Sequence, residues 1–211
     1  MPKALLRILL MAAVSMLAGM PAPAQNPLTL AQTPVANAPY EPLSVGAKGR
    51  VFGSRIVSPV SIGKSAFTAG LNQLQDKPEE WGQGMAGYGR RFAHKMGTRA
   101  AENGIGFLAA ASLKQDPRFF RSDESGFWRR SRYALVNTVL TRTDDGGRAP
   151  AYWRFAGNYG SEFVSNAWRP DRQTNFSDTM IRSTVSVGYD AASNLIKEFW
   201  PDIRKIFKRS E

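Results

Sequence analysis

The side chains able to do acid–base chemistry are few and awkwardly placed. His94 is the only histidine, and the chain has no cysteine. A histidine base needs an orienting acid and a nucleophile beside it. Glu102 follows two helical turns later, but Arg90, Arg91, Lys95 and Arg99 crowd His94, and a polar helix face is its simpler setting. Glu79 and Glu80 flank Trp81 in a loop that would suit a sugar. Glycosidase carboxylates have no fixed spacing in sequence, so a hydrolase acting on a cell-wall or lipid substrate stays open as a rival reading, against the simpler one of an exposed acidic turn. The H-E-x-x-H and calcium-loop patterns are absent, as are the P-loop and the G-x-S-x-G elbow. No metal and no cofactor is therefore expected, and Asp144, Asp145 and Asp171 read as turn residues.

The basic side chains carry more. The chain holds 28 Lys and Arg against 17 Asp and Glu, a net charge of +11. Arg118, Arg121, Arg129, Arg130 and Arg132 alternate with Phe119, Phe120, Phe127, Trp128 and Tyr133. Guanidinium groups meet phosphates while aromatic rings sit at headgroup level. Arg118, Arg121, Trp128, Arg129, Arg130 and Arg132 are thus candidates for an anionic surface. The competing arrangement puts the rings in the core and leaves the arginines merely solvated.

The N-terminus assigns the compartment in which such a surface would be met. Lys3 and Arg7 precede the uncharged apolar run from Ile8 to Gly19, and Ala22-Pro23-Ala24 is a small-x-small cleavage site. Residues 1–24 read as a signal peptide, with the exported protein starting at Gln25 in the periplasm or envelope. Export disfavours nucleic acid as the anionic partner. Beyond the leader the longest apolar run, Gly104 to Leu113, falls short of the about 18 residues a span requires, so no membrane-spanning segment is expected after cleavage. Residues 25–45, with four prolines among Ala, Gln, Asn and Thr, read as a disordered linker. Residues 46–211 read as one helical domain.

Four-residue spacing supplies the elements. Tyr88, Phe92, Met96, Ala100, Gly104 and Leu108 form one stripe, and the helix carrying it should end before Asp116-Pro117. Further helices are expected over Phe127–Thr141, Tyr152–Trp168 and Ser177–Trp200, the last broken by Pro201, with a short one over Lys64–Leu74. Val45 to Ile62 is ambiguous, its branched residues favouring extended chain. Gly89, Gly97, Gly104, Gly157, Gly160 and Gly188 fall inside helices, where each costs about 1 kcal/mol relative to Ala. Close helix packing would offset that. The expected fold is all-α, a compact bundle of four or five helices with small-residue ridges.

Several short runs recur in a particular order: Gly87-Tyr88-Gly89-Arg90-Arg91-Phe92, Gln115 to Arg121, Thr141-Arg142-Thr143-Asp144, Ser165-Asn166-Ala167-Trp168-Arg169-Pro170 and Glu198-Phe199-Trp200-Pro201-Asp202-Ile203. In these the chain resembles an uncharacterised family of exported bacterial helical proteins. The resemblance implies a common helical fold and carries over no catalytic residue.

The third and fourth of these helices should pair antiparallel along a structural polar seam. Arg154, Asn158 and Glu162 form a stripe on one; Arg182, Ser186 and Asp190 form one on the other. Folding about residue 172 sets Glu162 against Arg182, Asn158 against Ser186, and Arg154 against Asp190. The functional expectation is a non-catalytic envelope protein that binds or stabilises an anionic component: a lipid headgroup, lipopolysaccharide or a cell-wall polymer. A place as a subunit of an envelope assembly, with a protein partner covering the small-residue ridges, is the further alternative.

Overall fold

The computed structural model describes Pro34, Ala36 and residues 39–208. The expected signal peptide and most of the expected linker (residues up to 33, and 35, 37 and 38) lie outside the described residues. The fold is all-α with one small hairpin. Helices α1 (Val45–Val57) and α2 (Pro59–Leu74) abut at Ser58, which caps α2 by accepting from the Ser61 amide. The stretch that looks ambiguous in sequence is therefore helical. Its Val and Ile positions lose little in a helix whose start is fixed by a serine cap and by Pro59 in the first turn.

The longest early helix, α3 (Gly84–Ser112), is followed by α4 (Phe127–Val139). The chain then leaves helical geometry earlier than its periodicity predicts. Leu140–Arg142 (β1) pairs antiparallel with Arg148–Pro150 (β2), with Thr141 opposite Ala149. The turn cluster Asp144 to Gly147 closes this hairpin, with Gly146 in the left-handed region at φ 86°. Gln115 ties the hairpin to the bundle: its Nε2 donates to the Pro150 carbonyl at 2.7 Å, and its Oε1 accepts from the Trp153 amide at 3.1 Å.

Helix α5 spans Tyr152–Ser165, and 3-10 turns at Asn166–Trp168 and Asp171–Gln173 lead to α6 (Phe176–Lys208). Pro201 lies inside α6 and does not end it. A proline loosens hydrogen bonding in the turn before it. There the Glu198 carbonyl accepts from Arg130 Nη2 at 2.5 Å. The described end of the linker is docked. Pro34 and Ala36 exchange backbone hydrogen bonds with Arg121, and the Tyr40 ring packs 5.9 Å from Phe120.

The most extensive helix pairing is α3 on α5. A Cβ on Gly157 would stand 2.8 Å from the Glu102 carbonyl, and one on Gly106 would stand 3.4 Å from the Trp153 carbonyl. Small residues thus let these two backbones touch. The expected ridge is only partly in use. Gly157 and Gly160 pack on α3, not on α6, while Gly89, Gly104 and Gly188 have nothing within 4 Å.

The interior is unusually polar. Its apolar heart is Phe52, Ala110 and Trp153, backed by Phe107 and Ala109. Arg91, Lys48, Gln115, Asp116, Asn194 and Glu198 are among the most deeply buried side chains. The four-residue stripe on α3 turns outward over Ala100, Gly104 and Leu108, the last 64 % exposed, while Arg91, His94 and Asn103 turn in. The reason is satisfaction of polar groups: the turns packed on α3 present carbonyls to Arg91 and an indole N–H to His94, while Asn103 donates to the Arg99 carbonyl of its own helix. Among the described residues no helix is long and apolar enough to cross a membrane.

Gly157→Ala should destabilise the fold by about 1–3 kcal/mol, the range for overpacking. Gly188→Ala should be neutral or stabilising by up to about 1 kcal/mol, since the helix gains propensity at an open site. Urea midpoints of the two variants test this; equal shifts would contradict the α3–α5 crossing.

Candidate functional site

One end of α3 carries a shallow, open concavity. Two hollows of about 540 and 350 Å3 share Trp81, Arg169 and Arg172 and form one cleft. One wall is the turn from Asp76 to Trp81, the other is Trp168 to Gln173, and α3 contributes His94 and Lys95.

Buried arginine chemistry fixes the first wall. Arg91, fully buried, donates from Nε to the Lys77 carbonyl at 2.9 Å. Its Nη1 reaches Gln73 Oε1 and the Gly82 carbonyl, and its Nη2 reaches Asp76 Oδ1 and the Pro78 carbonyl. A guanidinium has five N–H donors, and this turn absorbs them. The second wall hangs on Glu162, whose Oε2 accepts from Arg169 at 2.7 Å and from Arg182 at 3.0 Å. Arg169 also donates to Ser165, and Arg182 to Asn166 and Thr179.

His94 joins the two walls. It is 6 % exposed, and its Nδ1 accepts from Trp168 Nε1 at 2.9 Å, so the ring proton sits on Nε2. The Trp81 ring lies 5.1 Å away. Burial first, then Arg169, Lys95 and Arg182, push its pKa down from 6.5 to about 3. A neutral imidazole with one nitrogen committed to an indole is a weak base. No hydrogen bond joins it to Glu102. That residue is walled in near Asp190, and burial followed by the Asp190 charge raises its pKa to about 7. Among the described residues no group of three or more His, Asp or Glu could hold a metal.

The basic cluster divides. Arg118 is bonded to both oxygens of buried Asp116 and to the Glu41 carbonyl. Arg130 bonds Glu198 at 2.9 Å and Asp202 at 2.6 Å, and lies 4.4 Å over the Phe199 ring. Arg121 is half-buried beside Pro34 and Ala36. Phe119 and Phe120 are buried. Trp128 is 81 % exposed, with Phe127, Arg129 and Arg132 exposed around it.

On the seam, the structure brings Glu162 to Arg182 and sets Arg154 Nε 3.6 Å from Asp190. Asn158 reaches past Ser186 to donate to Asp190 at 2.9 Å, leaving Ser186 half-buried. Spacing on one helix pair does not reveal Arg169 as the third member, or the cleft. Its residues come from three separate stretches: the Glu79-Glu80-Trp81 loop, read in sequence as suited to a sugar, His94 with Lys95, and the Trp168-Arg169-Pro170 run noted for resemblance.

Glu162→Ala leaves two guanidinium groups unanswered and should cost about 3–5 kcal/mol. Exchanging the pair, Glu162→Arg with Arg182→Glu, sets a new cation against Arg169 and should recover little, as a double-mutant cycle would reveal. His94 predicts an acid limb. Its folded pKa of about 3 lies below the unfolded 6.5, so the unfolded state binds more protons between those values. The contribution is complete above pH 6.5 and is lost as pH falls toward 3; His94→Gln should flatten the slope of stability against pH in that window. No protein-family model, curated protein or solved structure matches the chain.

Proposed function

We propose that this is an exported, non-catalytic envelope protein that binds or stabilises an anionic envelope component. The observation that carries the reading is the start of α4. Phe127 and Trp128 stand 61 % and 81 % exposed with their rings 5.2 Å apart. Arg129 and Arg132 are exposed beside them, and among the described residues the only ion pair of Arg129 is a loose, exposed one to Glu124 at 3.8 Å. Exposed pairs of that kind are worth roughly 0–1 kcal/mol, so a phosphate or carboxylate surface displaces it easily. Rings that stay in water next to exposed guanidinium groups suit a headgroup layer. The hydrolase reading is weaker, because the buried, indole-bound His94 has little basicity left.

Vesicle co-sedimentation tests the surface. Binding should require anionic lipid and fade as salt rises, since attraction is screened within roughly 8 Å at physiological ionic strength. Trp128→Ala with Arg129→Gln and Arg132→Gln should reduce it more than Arg204→Gln with Lys205→Gln, a pair of exposed tail cations. Equal binding to neutral vesicles, or a larger loss from the tail pair, would refute the assignment. Export has its own readout: protein recovered from the envelope should begin at Gln25, and retention of Met1–Ala24 would refute it.

A further inference from the structure

We infer that the cleft between Trp81 and Trp168 is a binding site for an anionic pyranose, a sugar ring bearing a carboxylate or a phosphate. The inference uses none of the α4 residues and stands or falls separately from surface binding.

The site is built in advance of any ligand. Arg91 holds one wall through five hydrogen bonds to a single turn. Glu162, Arg169 and Ser165 hold the other. Trp168 is oriented by His94 and seated against Gly97, where a Cβ would meet its ring at 3.4 Å. A preformed site orders little on binding, which favours affinity.

Its chemistry selects the ligand class. Trp168 is 41 % exposed and Trp81 half-buried, one on each wall. Such rings offer flat apolar faces to the C–H face of a pyranose. Around them stand Glu80, Asp171 and Arg172, acceptors and a donor for hydroxyl groups at the sugar's edge. A wholly apolar ligand would leave these polar groups unanswered on losing water. A quaternary ammonium would meet Lys95 and Arg169.

Lys95 supplies the requirement for charge. It is half-buried in the cleft and has no ion-pair partner among the described residues. Arg169, the nearby cation, is engaged by Glu162. Burial, then Arg169, lowers the Lys95 pKa. Glu162 is the nearby anion, but its Oε2 is shared by Arg169 and Arg182, and a partly desolvated ammonium with no direct ion pair is a deficit that an acidic substituent fills. Arg172 meets Glu80 at 3.1 Å and Glu79 at 3.8 Å across the mouth, exposed pairs that open at little cost. The hollows of about 350 and 540 Å3 fall in the range that holds small organic ligands, roughly 300–1,000 Å3.

Calorimetric titration of the full chain with galacturonate, glucose 6-phosphate, galactose, inorganic phosphate and AMP tests the assignment. At least one acidic sugar should bind, and the comparison of the first two names the acid. Galactose should be weaker by about tenfold or more, and inorganic phosphate alone should not bind. Lys95→Met should bring the acidic sugar down to the galactose level. Trp81→Ala should abolish binding while leaving vesicle binding and thermal unfolding intact. Should Trp81→Ala unfold the chain, the indole N–H resonances of Trp81 and Trp168 carry the test, since both must shift on adding the acidic sugar. Failure of every sugar to bind overturns the proposal. So does phosphate binding as tightly as the sugar phosphate, AMP binding most tightly, an acid preference that survives Lys95→Met, or unshifted indole signals.

Discussion

A guanidinium removed from water must be hydrogen-bonded around its edge, and this fold is arranged to meet that demand. Arg91 gathers the carbonyls of Lys77, Pro78 and Gly82 with the side chains of Gln73 and Asp76. Those groups come from the end of α2 and the turn after it, so one side chain of α3 sets where α2 stops and how the chain returns. Glu162 does the same at the other wall, drawing Arg169 and Arg182 to one oxygen and so fixing the α5–α6 connection. Losing one partner of such a group leaves a buried charge, which makes the turns as determined as the helices.

That demand explains where the apolar residues go. With Arg91, His94, Asn103, Arg154, Asn158 and Glu198 inside, the interior has room for only a small apolar cluster around Phe52 and Trp153. Leu108, Val185, Tyr189 and Trp128 are displaced to the surface. Cohesion then depends on short backbone contact, and the α3–α5 crossing at Gly106 and Gly157 provides it. The same crossing sets α5, and with it Glu162 and the wall of the cleft, against the face of α3 that carries His94.

Legibility in the sequence follows the range of each interaction. Helix positions were readable from Met85 onward because period is a local signal, but Pro201, read as a break, lies inside α6, and the helix expected to Thr141 gives way to β1 at Leu140. Glu162 and Arg182 were readable as facing residues because a short connection between two helices leaves few registers. The helical character of Val45–Val57 was hidden, since β-branched residues and glycines weaken the local signal and docking on α3 supplies the stability. Arg118 and Arg130 looked free because their carboxylates, Asp116 and Glu198, offer no sign in sequence that they are buried beside them. Of the cleft, only the Glu79-Glu80-Trp81 loop was legible as suited to a sugar; its closure by His94 and Trp168 was not, because Trp81, His94 and Trp168 share no period.

The interior charge has a consequence that no pH removes. Glu102 is raised from 4.5 to about 7, chiefly by burial, so its ionised form is disfavoured in the fold. The folded state then binds more protons than the unfolded between those values, and stability falls as pH climbs through them. Lys197 is lowered from 10.5 to about 7, again chiefly by burial, then by Arg55 and Arg154. There the unfolded state binds more protons, and stability rises from pH 7 toward 10.5. Neutralising one group in acid leaves the other charged, and neutralising the other in base restores the first. Near neutrality both penalties act together, softened because each side chain keeps part of its surface in water. A bundle carrying that load at its working pH must be held by contacts that do not titrate, and the glycine-lined α3–α5 crossing is the most extensive of these.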